Sequence, residues 1–541
     1  MGVFLNRGTD EFESAVNSMV YVDKTDMIQF LNMVINTEQR YVCVSRPRRF
    51  GKTMTANMIA AYFEKGSDSR FLFEKRKLGA LSDWDRNLNQ FDVIRIDIAD
   101  VTSSSKSSEE ALDKIESWVI SEVKKAYPRC VPRNCDSVGD ALACVNEKKK
   151  AKFIIIIDEW DAFFRDEKAN GQLQQRYINF LRSLFKGNRS KNFVALAYIT
   201  GILPIKRYNS ESALNNFAEY TMLNPLNLVD YIGFTDEEVK KLCTDYDSDY
   251  NEMSSWYDGY QFEKIEKKDG KNENRTLHVF GPNSVVRAIF HGQFNNYWSK
   301  TVAFNSLAGY ITMNFDGLRD AVTELVGGGH IKVKTGGFQN DMTSFSSKDD
   351  VLTLLIHLGY LAYNAATGEV FIPNKEVMEC FEQTLSATGW TELVEAIDDS
   401  EKLMNNLLSG DEEAVATGIE KCHRQNTSII KYNDENSLSA VIGIAFYAAR
   451  AKYNIIREMP GGNGFADIVF LPKKGITSQG TPAVLVELKW MKTAQTAIDQ
   501  IRTKNYPESL EGFSDGIILC GITYNKDDNG KKSHKCVIER I

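Results

Sequence analysis

YVCVSRPRRFGKT, residues Tyr41–Thr53, decides how the chain is read. It begins as an apolar strand, Tyr41-Val42-Cys43-Val44, turns through Pro47 and Gly51, and enters a helical run from Met54 to Phe63. Strand, loop, Gly-Lys-Thr and helix are the context of a phosphate-binding loop. Gly51 lets backbone N–H groups approach phosphate oxygens, Lys52 reaches the β- and γ-phosphates, and the Thr53 hydroxyl can take a Mg²⁺ ion beside the helix N-terminus. A full G-x-x-x-x-G-K-[ST] motif has glycine where this chain has Arg46.

A second stretch supports the first. Phe153–Glu159, FIIIIDE, is a strand apolar enough to be buried on both faces, ending in two carboxylates. Asp158 is placed to hold the Mg²⁺ shell and Glu159 to polarise a water. Asn192–Gly201 is another buried strand, and its terminal Thr200 either senses the γ-phosphate or simply ends the strand. Strands alternating with helices predict a parallel α/β sheet with Gly51, Asp158 and Thr200 at the carboxyl ends of the strands.

The bulk numbers fit two to four domains. The chain has 541 residues, 43% hydrophobic and 26% charged, with a net charge of −8, which excludes a globally basic nucleic-acid binder. Nine cysteines occur without a C-x-x-C pair, and Cys422-His423 stands apart, so reduced structural thiols in a cytoplasmic protein are expected. The N-terminus does not read as a signal peptide, and no apolar run of about 18 residues suggests a membrane span.

Along the chain, Asp23 and Thr25 are candidate N-caps for a helix over Met27–Val34. Thr235 and Glu238 have capping-box spacing before another helix. Trp256–Tyr260, WYDGY, reads as an aromatic packing corner, with base stacking as the competing reading. A helix ending near Gly359 and a following hairpin suggest a winged-helix-like unit. His357 reads as a core histidine, and residues 376–425 as an acidic helical connector.

The C-terminal region carries a second constellation. Asp467 opens one strand; Glu487 and Lys489 lie two apart on the next, Ala483–Lys489, and so point to one face. Two carboxylates and a lysine suit Mg²⁺ or Mn²⁺ and a scissile phosphate. Glu435 on the preceding helix could add a ligand, and Gln500 on the following helix could support it. The competing reading is a hairpin edge with solvated charges. Residues 431–541 hold 15 Lys/Arg against 12 Asp/Glu, a local excess of positive charge.

Taken together, these segments resemble the bacterial AAA-like ATPases fused to a C-terminal PD-(D/E)XK nuclease domain. The resemblance is carried by YVDKT at 21–25, RPRRFGKT at 46–53, IIDE at 156–159, ITG at 199–201, WYDGY at 256–260, LGYL at 358–361, ADIV at 466–469, VELK at 486–489 and QIRTKNY at 500–506. It implies an α/β P-loop ATPase domain over 1–225, a lid over 226–300, a helical, winged-helix-like connector over 301–425, and a restriction-endonuclease-like α/β domain over 426–541. It further implies ATP and Mg²⁺ at Arg46, Arg48, Arg49, Phe50, Gly51, Lys52, Thr53, Asp158, Glu159 and Thr200. The nuclease centre would be Glu435, Asp467, Glu487 and Lys489 with Gln500 behind. The three arginines would serve phosphates or pair with the 158–161 carboxylates. The expected activity is ATP-regulated cleavage of nucleic acid, DNA before RNA, with defence against foreign DNA as its setting, and a homo-oligomer is compatible with it. A non-cleaving ATPase switch or a scaffold is the alternative. One departure is Phe465, at a position where relatives carry Arg.

Overall fold

The computed structural model describes residues 2–165, 171–205, 207–208, 211–212, 214–231, 233–268, 271–298, 303–313, 315–340, 342, 344–388, 390–426, 435–461, 464–472, 481–510, 516–526 and 532–541. The chain divides into two compact units, one of residues 1–300 and 332–377, the other of residues 301–331 and 378–541.

The first unit is built on five parallel strands: β1 (Tyr41–Ser45), β2 (Asp92–Asp97), β3 (Phe153–Asp158), β4 (Val194–Gly201) and β5 (Ala218–Tyr220), in the order β2-β3-β4-β1-β5. Period-two alternation sorts their side chains between two cores. Ile155 and Ile157 face helices α2 (Ser108–Ala126), α3 (Val138–Lys149) and α4 (Gly171–Phe185), while Ile154 and Ile156 face α1 (Lys52–Phe63). All six residues of β3 are buried, which is why its sequence is a continuous apolar run rather than an alternating one. Helix starts follow local chemistry. The Ser107 hydroxyl accepts the Glu110 N–H at 3.2 Å, and Ser137 does the same for Asp140 at 3.4 Å. Register aligns the strand ends, with Val44 opposite Thr200 and Asp97 opposite Asp158.

The capping box occurs as expected: Thr235 and Glu238 exchange hydrogen bonds at 3.0 and 3.4 Å. Asp23 and Thr25 do not cap Met27–Val34, whose N-cap position is Asp26. Asp23 instead binds the Thr25 hydroxyl and accepts the Lys77 N–H, and Thr25 accepts the Leu78 N–H, so the pair holds the turn at Leu78–Ala80. WYDGY is a packing corner. Tyr257 and Tyr260 are buried, and Tyr260 donates to the Gly359 carbonyl. Neither ring is available to stack on a base. His357 is buried in the core.

The second unit holds helices α5 (Thr391–Ser409), α6 (Glu412–Asn426) and α7 (Glu435–Ala445) and a five-stranded sheet. Its strands are β6 (Tyr453–Gly461), β7 (Gly464–Pro472), β8 (Ala483–Trp490), β9 (Ile517–Lys526) and β10 (Lys532–Arg540), in sequential order. Only β8 and β9 are parallel, joined through helix α8 (Ala494–Thr503), which the Thr493 hydroxyl caps. Ile498 and Ile501 of α8 pack on Leu485, Val469 and Leu519 of the sheet. The 376–425 stretch, expected as a connector, packs on β10 through α6: the Ile538 N–H donates to Glu412 at 2.7 Å. No helix among the described residues is long and apolar enough to cross a membrane.

Candidate functional site

Two sites converge, one in each unit. In the first unit the chain leaves β1 and enters α1 through Gly51, whose φ of 77° suits glycine and whose Cα faces open space. Lys52 is buried and donates to the Pro47 and Arg46 carbonyls at 3.0 and 3.2 Å, with Glu159 Oε1 3.4 Å away. Thr53 is exposed at the first turn of α1. Asp158 ends β3 with Oδ1 accepting the Glu159 N–H at 3.0 Å. Asp158 Oδ2 and the Thr200 hydroxyl are buried and accept or donate no hydrogen bond among the described residues. Strand β4 lies between β1 and β3, so Thr200 sits between the Lys52 loop and Asp158.

Burial pushes the Asp158 carboxyl up to about 6, Asp97 and Glu159 add to this, and the Thr53 hydroxyl and Lys52 oppose it. Burial acts on Glu159 in the same sense, but Lys52 and Arg165 outweigh it and hold the group below the ordinary carboxylate range. Arg165 pairs with both Glu159 and Asp161, and Asp161 accepts the Ile202 and Leu203 N–H groups at 3.1 and 2.9 Å. Lys52 and Arg165 thus form ion pairs with Glu159, Arg165 also pairs with Asp161, and the Arg48 charge adds to the pull on Glu159. Arg46 donates to the Ser45 and Tyr220 carbonyls, and burial pushes its guanidinium down to about 9. Arg49 donates to the Tyr297 carbonyl at 2.8 Å; Phe50 packs edge-on against Tyr260; Arg48 is exposed.

Sequence reasoning missed three features here: Asp97, aligned with Asp158; the Asp161–Arg165 pair; and a cavity of about 340 Å³ beside Gly51, lined by Tyr21, Arg49, Met54, Tyr231 and Asn283. The lining residues of the cavity are scattered from Phe12 to Val286, and no local pattern announces them.

In the second unit, β7 and β8 pair antiparallel with Ile468 opposite Val486, and one step along this register sets Asp467 against Glu487. Asp467 Oδ2 accepts the Leu488 N–H at 2.7 Å. Lys489 Nζ lies 2.9 Å from Glu487 Oε1, which also accepts from the Gln500 amide on α8. Glu487 Oε2 is buried with no hydrogen-bond partner among the described residues. Burial and the Asp467 charge push the Glu487 carboxyl up to about 7 against the pull of Lys489. An orphaned carboxylate oxygen beside a second carboxylate fits a hard divalent cation such as Mg²⁺. Glu435 opens α7, but its side chain lies outside the described residues. Tyr506, unassigned from sequence, sits at the same place: Gln500 hydrogen-bonds its hydroxyl, and a side chain at Gly464 would meet that hydroxyl at 3.0 Å. Phe465 is 62% exposed on β7.

The five parallel strands with a Gly-Lys-Thr helix after β1 and acidic ends on β3 define a P-loop nucleotide-binding domain. Residues 7–209 match the model of the family described as predicted AAA-ATPase, and the N-terminal region is AAA-ATPase-like. A curated relative is an uncharacterized protein from the vnfD 5′ region of Azotobacter chroococcum mcd 1, 22% identical over 285 residues; the match covers 52% of this chain. This chain spans about half the length of that relative, 50%. Among solved structures, Cdc6p of Pyrobaculum aerophilum aligns with a TM-score of 0.24 and 10% identity over 69% of this chain and 98% of that one. The Aeropyrum pernix ORC2 protein in ADPNP–ADP complexes aligns with a TM-score of 0.29 and 9% identity, over 69% and 97%. The Aeropyrum pernix ORC1 protein in complex with DNA gives a TM-score of 0.22 and 11% identity, over 72% and 98%.

Proposed function

We propose that this chain is an ATP-binding, ATP-regulated, metal-dependent nuclease of the PD-(D/E)XK type that cleaves phosphodiester bonds, in DNA before RNA. The observation that carries the reading is the convergence of Asp467, Glu487, Lys489 and Gln500, with Glu487 Oε2 buried and without a hydrogen-bond partner among the described residues. Asp467 and Glu487 would hold Mg²⁺ or Mn²⁺, with Glu435 as a further ligand. An ion there supplies Lewis acidity to the phosphate and acidifies a bound water. Lys489 orients the attacking water and offsets charge on the phosphate. Gln500 fixes the Glu487 carboxylate, so that its other oxygen faces the site.

At the P-loop, Lys52 binds phosphate oxygens and Thr53 and Asp158 hold the nucleotide's Mg²⁺. Glu159 polarises the attacking water, and Thr200 contacts the γ-phosphate between them. The apolar cavity beside Gly51 fits the base of ATP. In this proposal the ATPase spans 1–225, the lid 226–300, a winged-helix-like connector 301–425 and the nuclease 426–541, with residues 332–377 of the connector packing in the first unit and the rest in the second. A cytoplasmic role against foreign DNA, as a homo-oligomer, is consistent with this chemistry.

A second reading is a non-cleaving ATPase switch or scaffold. Phe465 favours it, because an exposed apolar ring stands where a basic side chain would grip the substrate.

The test is cleavage of supercoiled plasmid with Mg²⁺ or Mn²⁺, with and without ATP. The nuclease reading expects nicking that Lys489→Ala abolishes and Lys52→Ala uncouples from ATP. Intact plasmid, linear DNA and RNA with the wild type would overturn it in favour of the switch.

A further inference from the structure

We propose that Glu420, His423 and His534 form a Zn²⁺ site in the second unit, separate in its residues from the Asp467–Glu487 pair. Helix α6 sets Glu420 and His423 three positions apart, on one face. The same Glu-x-x-His spacing on a helix is used for metal ligation in helical bundles. Strand β10 brings His534 to that face from 114 positions away. One ligand atom from each of the three residues lies within 4.8 Å of the others. His534 Nδ1 is 2.6 Å from Glu420 Oε2. Arg424 Nε holds the other oxygen, Oε1, at 3.0 Å, which aims Oε2 at the histidines.

The surroundings make a walled site. The Tyr524 ring on β9 packs 4.8 Å from the His534 ring and 5.1 Å from the His423 ring, and the two imidazoles meet edge-on at 5.1 Å. Both histidines are buried, while Glu420 keeps a 19% exposed side chain through which water can reach a fourth coordination position. Two imidazoles and one carboxylate are a donor set that suits zinc. Metal–ligand bonds of about 2.0–2.2 Å put tetrahedral ligand atoms roughly 3.3 Å apart, so the three groups need only small side-chain adjustments. A plain hydrogen-bonded pair accounts for Glu420 with His534. His423, one helical turn from Glu420, brings a ring nitrogen into the same small sphere. Cys422 is no part of the site, since its Sγ faces the Val441 carbonyl at 3.8 Å.

The experiment uses the full chain, stripped with a chelator and titrated with Zn²⁺ against a chromophoric competitor, then with Co²⁺ to read the visible absorption of four-coordinate cobalt. One Zn²⁺ per chain is expected in the wild type and in the Asp467→Asn, Glu487→Gln double variant. His423→Ala and His534→Ala are each expected to bind more weakly by at least about 100-fold, and to lose the cobalt absorption. Glu420→Gln, which keeps the shape of the side chain, gives the same loss if a histidine variant fails to fold. Absence of Zn²⁺ binding by the wild type at micromolar metal overturns the proposal. So does Zn²⁺ affinity unchanged in His423→Ala, or lost only with Asp467 and Glu487.

Discussion

Replacing Glu487 by Gln tests whether its carboxylate is held in the fold under electrostatic cost. Burial and the neighbouring Asp467 charge raise the group from 4.5 to about 7. At about 1.4 kcal/mol per pH unit, that is a cost of about 3 kcal/mol for the ionised form in the folded chain. The sign follows from the proton count. Between pH 4.5 and about 7 the folded state binds more protons than the unfolded one, so stability falls as pH rises through this window. Glutamine does not titrate. The stability of Glu487→Gln relative to wild type, measured in a chelator, should therefore climb by about 3 kcal/mol from pH 4.5 to pH 8 and then level off. The pull of Lys489, 2.9 Å away, is already contained in the net shift to about 7, so the slope includes it. Native-state hydrogen exchange of the β8 amides reads it, because wild type and variant compared at one pH share the same intrinsic exchange rates. A flat difference curve would refute the reasoning, and one falling with pH would reverse its sign. Adding Mg²⁺ should lower the wild-type group toward ordinary carboxylate values and flatten the curve.

Gly259→Ala places a Cβ 1.8 Å from the Pro373 carbonyl oxygen at a φ of 133°, so the first unit should lose at least about 2 kcal/mol in denaturant unfolding. Thr235→Ala removes half of the capping box and should cost about 1 kcal/mol in the same assay. Glu159→Gln should retain ATP in an equilibrium binding assay while slowing hydrolysis by about 100-fold; unchanged turnover would remove Glu159 from the water-polarising role. Asp158→Asn should weaken the Mg²⁺ dependence of ATP binding, and an unaltered Mg²⁺ titration would count against it.

The P-loop strand and the Asp158 strand were legible because a strand buried on both faces leaves an unbroken apolar run, and FIIIID is that run. The Glu487–Lys489 relation was legible because strand periodicity alone puts alternate side chains on one face. What escaped depends on long-range packing. Asp23 and Thr25 have capping chemistry, but it is spent on the Leu78 turn more than fifty residues on. The aromatic-cornered WYDGY stretch offered both packing and stacking, and only the burial of Tyr257 and Tyr260 decides between them. Tyr506 closes the QIRTKNY segment, but nothing in that segment assigns it a role, which comes from the approach of Gly464 and Gln500. His423 looked isolated because its neighbours in space, Glu420 and His534, come from a helix turn and a distant strand.

The strand order β2-β3-β4-β1-β5 also sets a schedule for synthesis. Strand β1 ends at Ser45, yet both of its neighbours, β4 and β5, begin no earlier than Val194. The P-loop strand therefore leaves the ribosome about 150 residues before anything can pair with it, a wait of roughly 10–30 s at typical elongation rates. Strands β2 and β3 are adjacent and can pair during that interval, while β1 stays an open edge. Chaperone capture or misassembly of nascent chains should therefore concentrate on Tyr41–Ser45, and release should coincide with the emergence of β4.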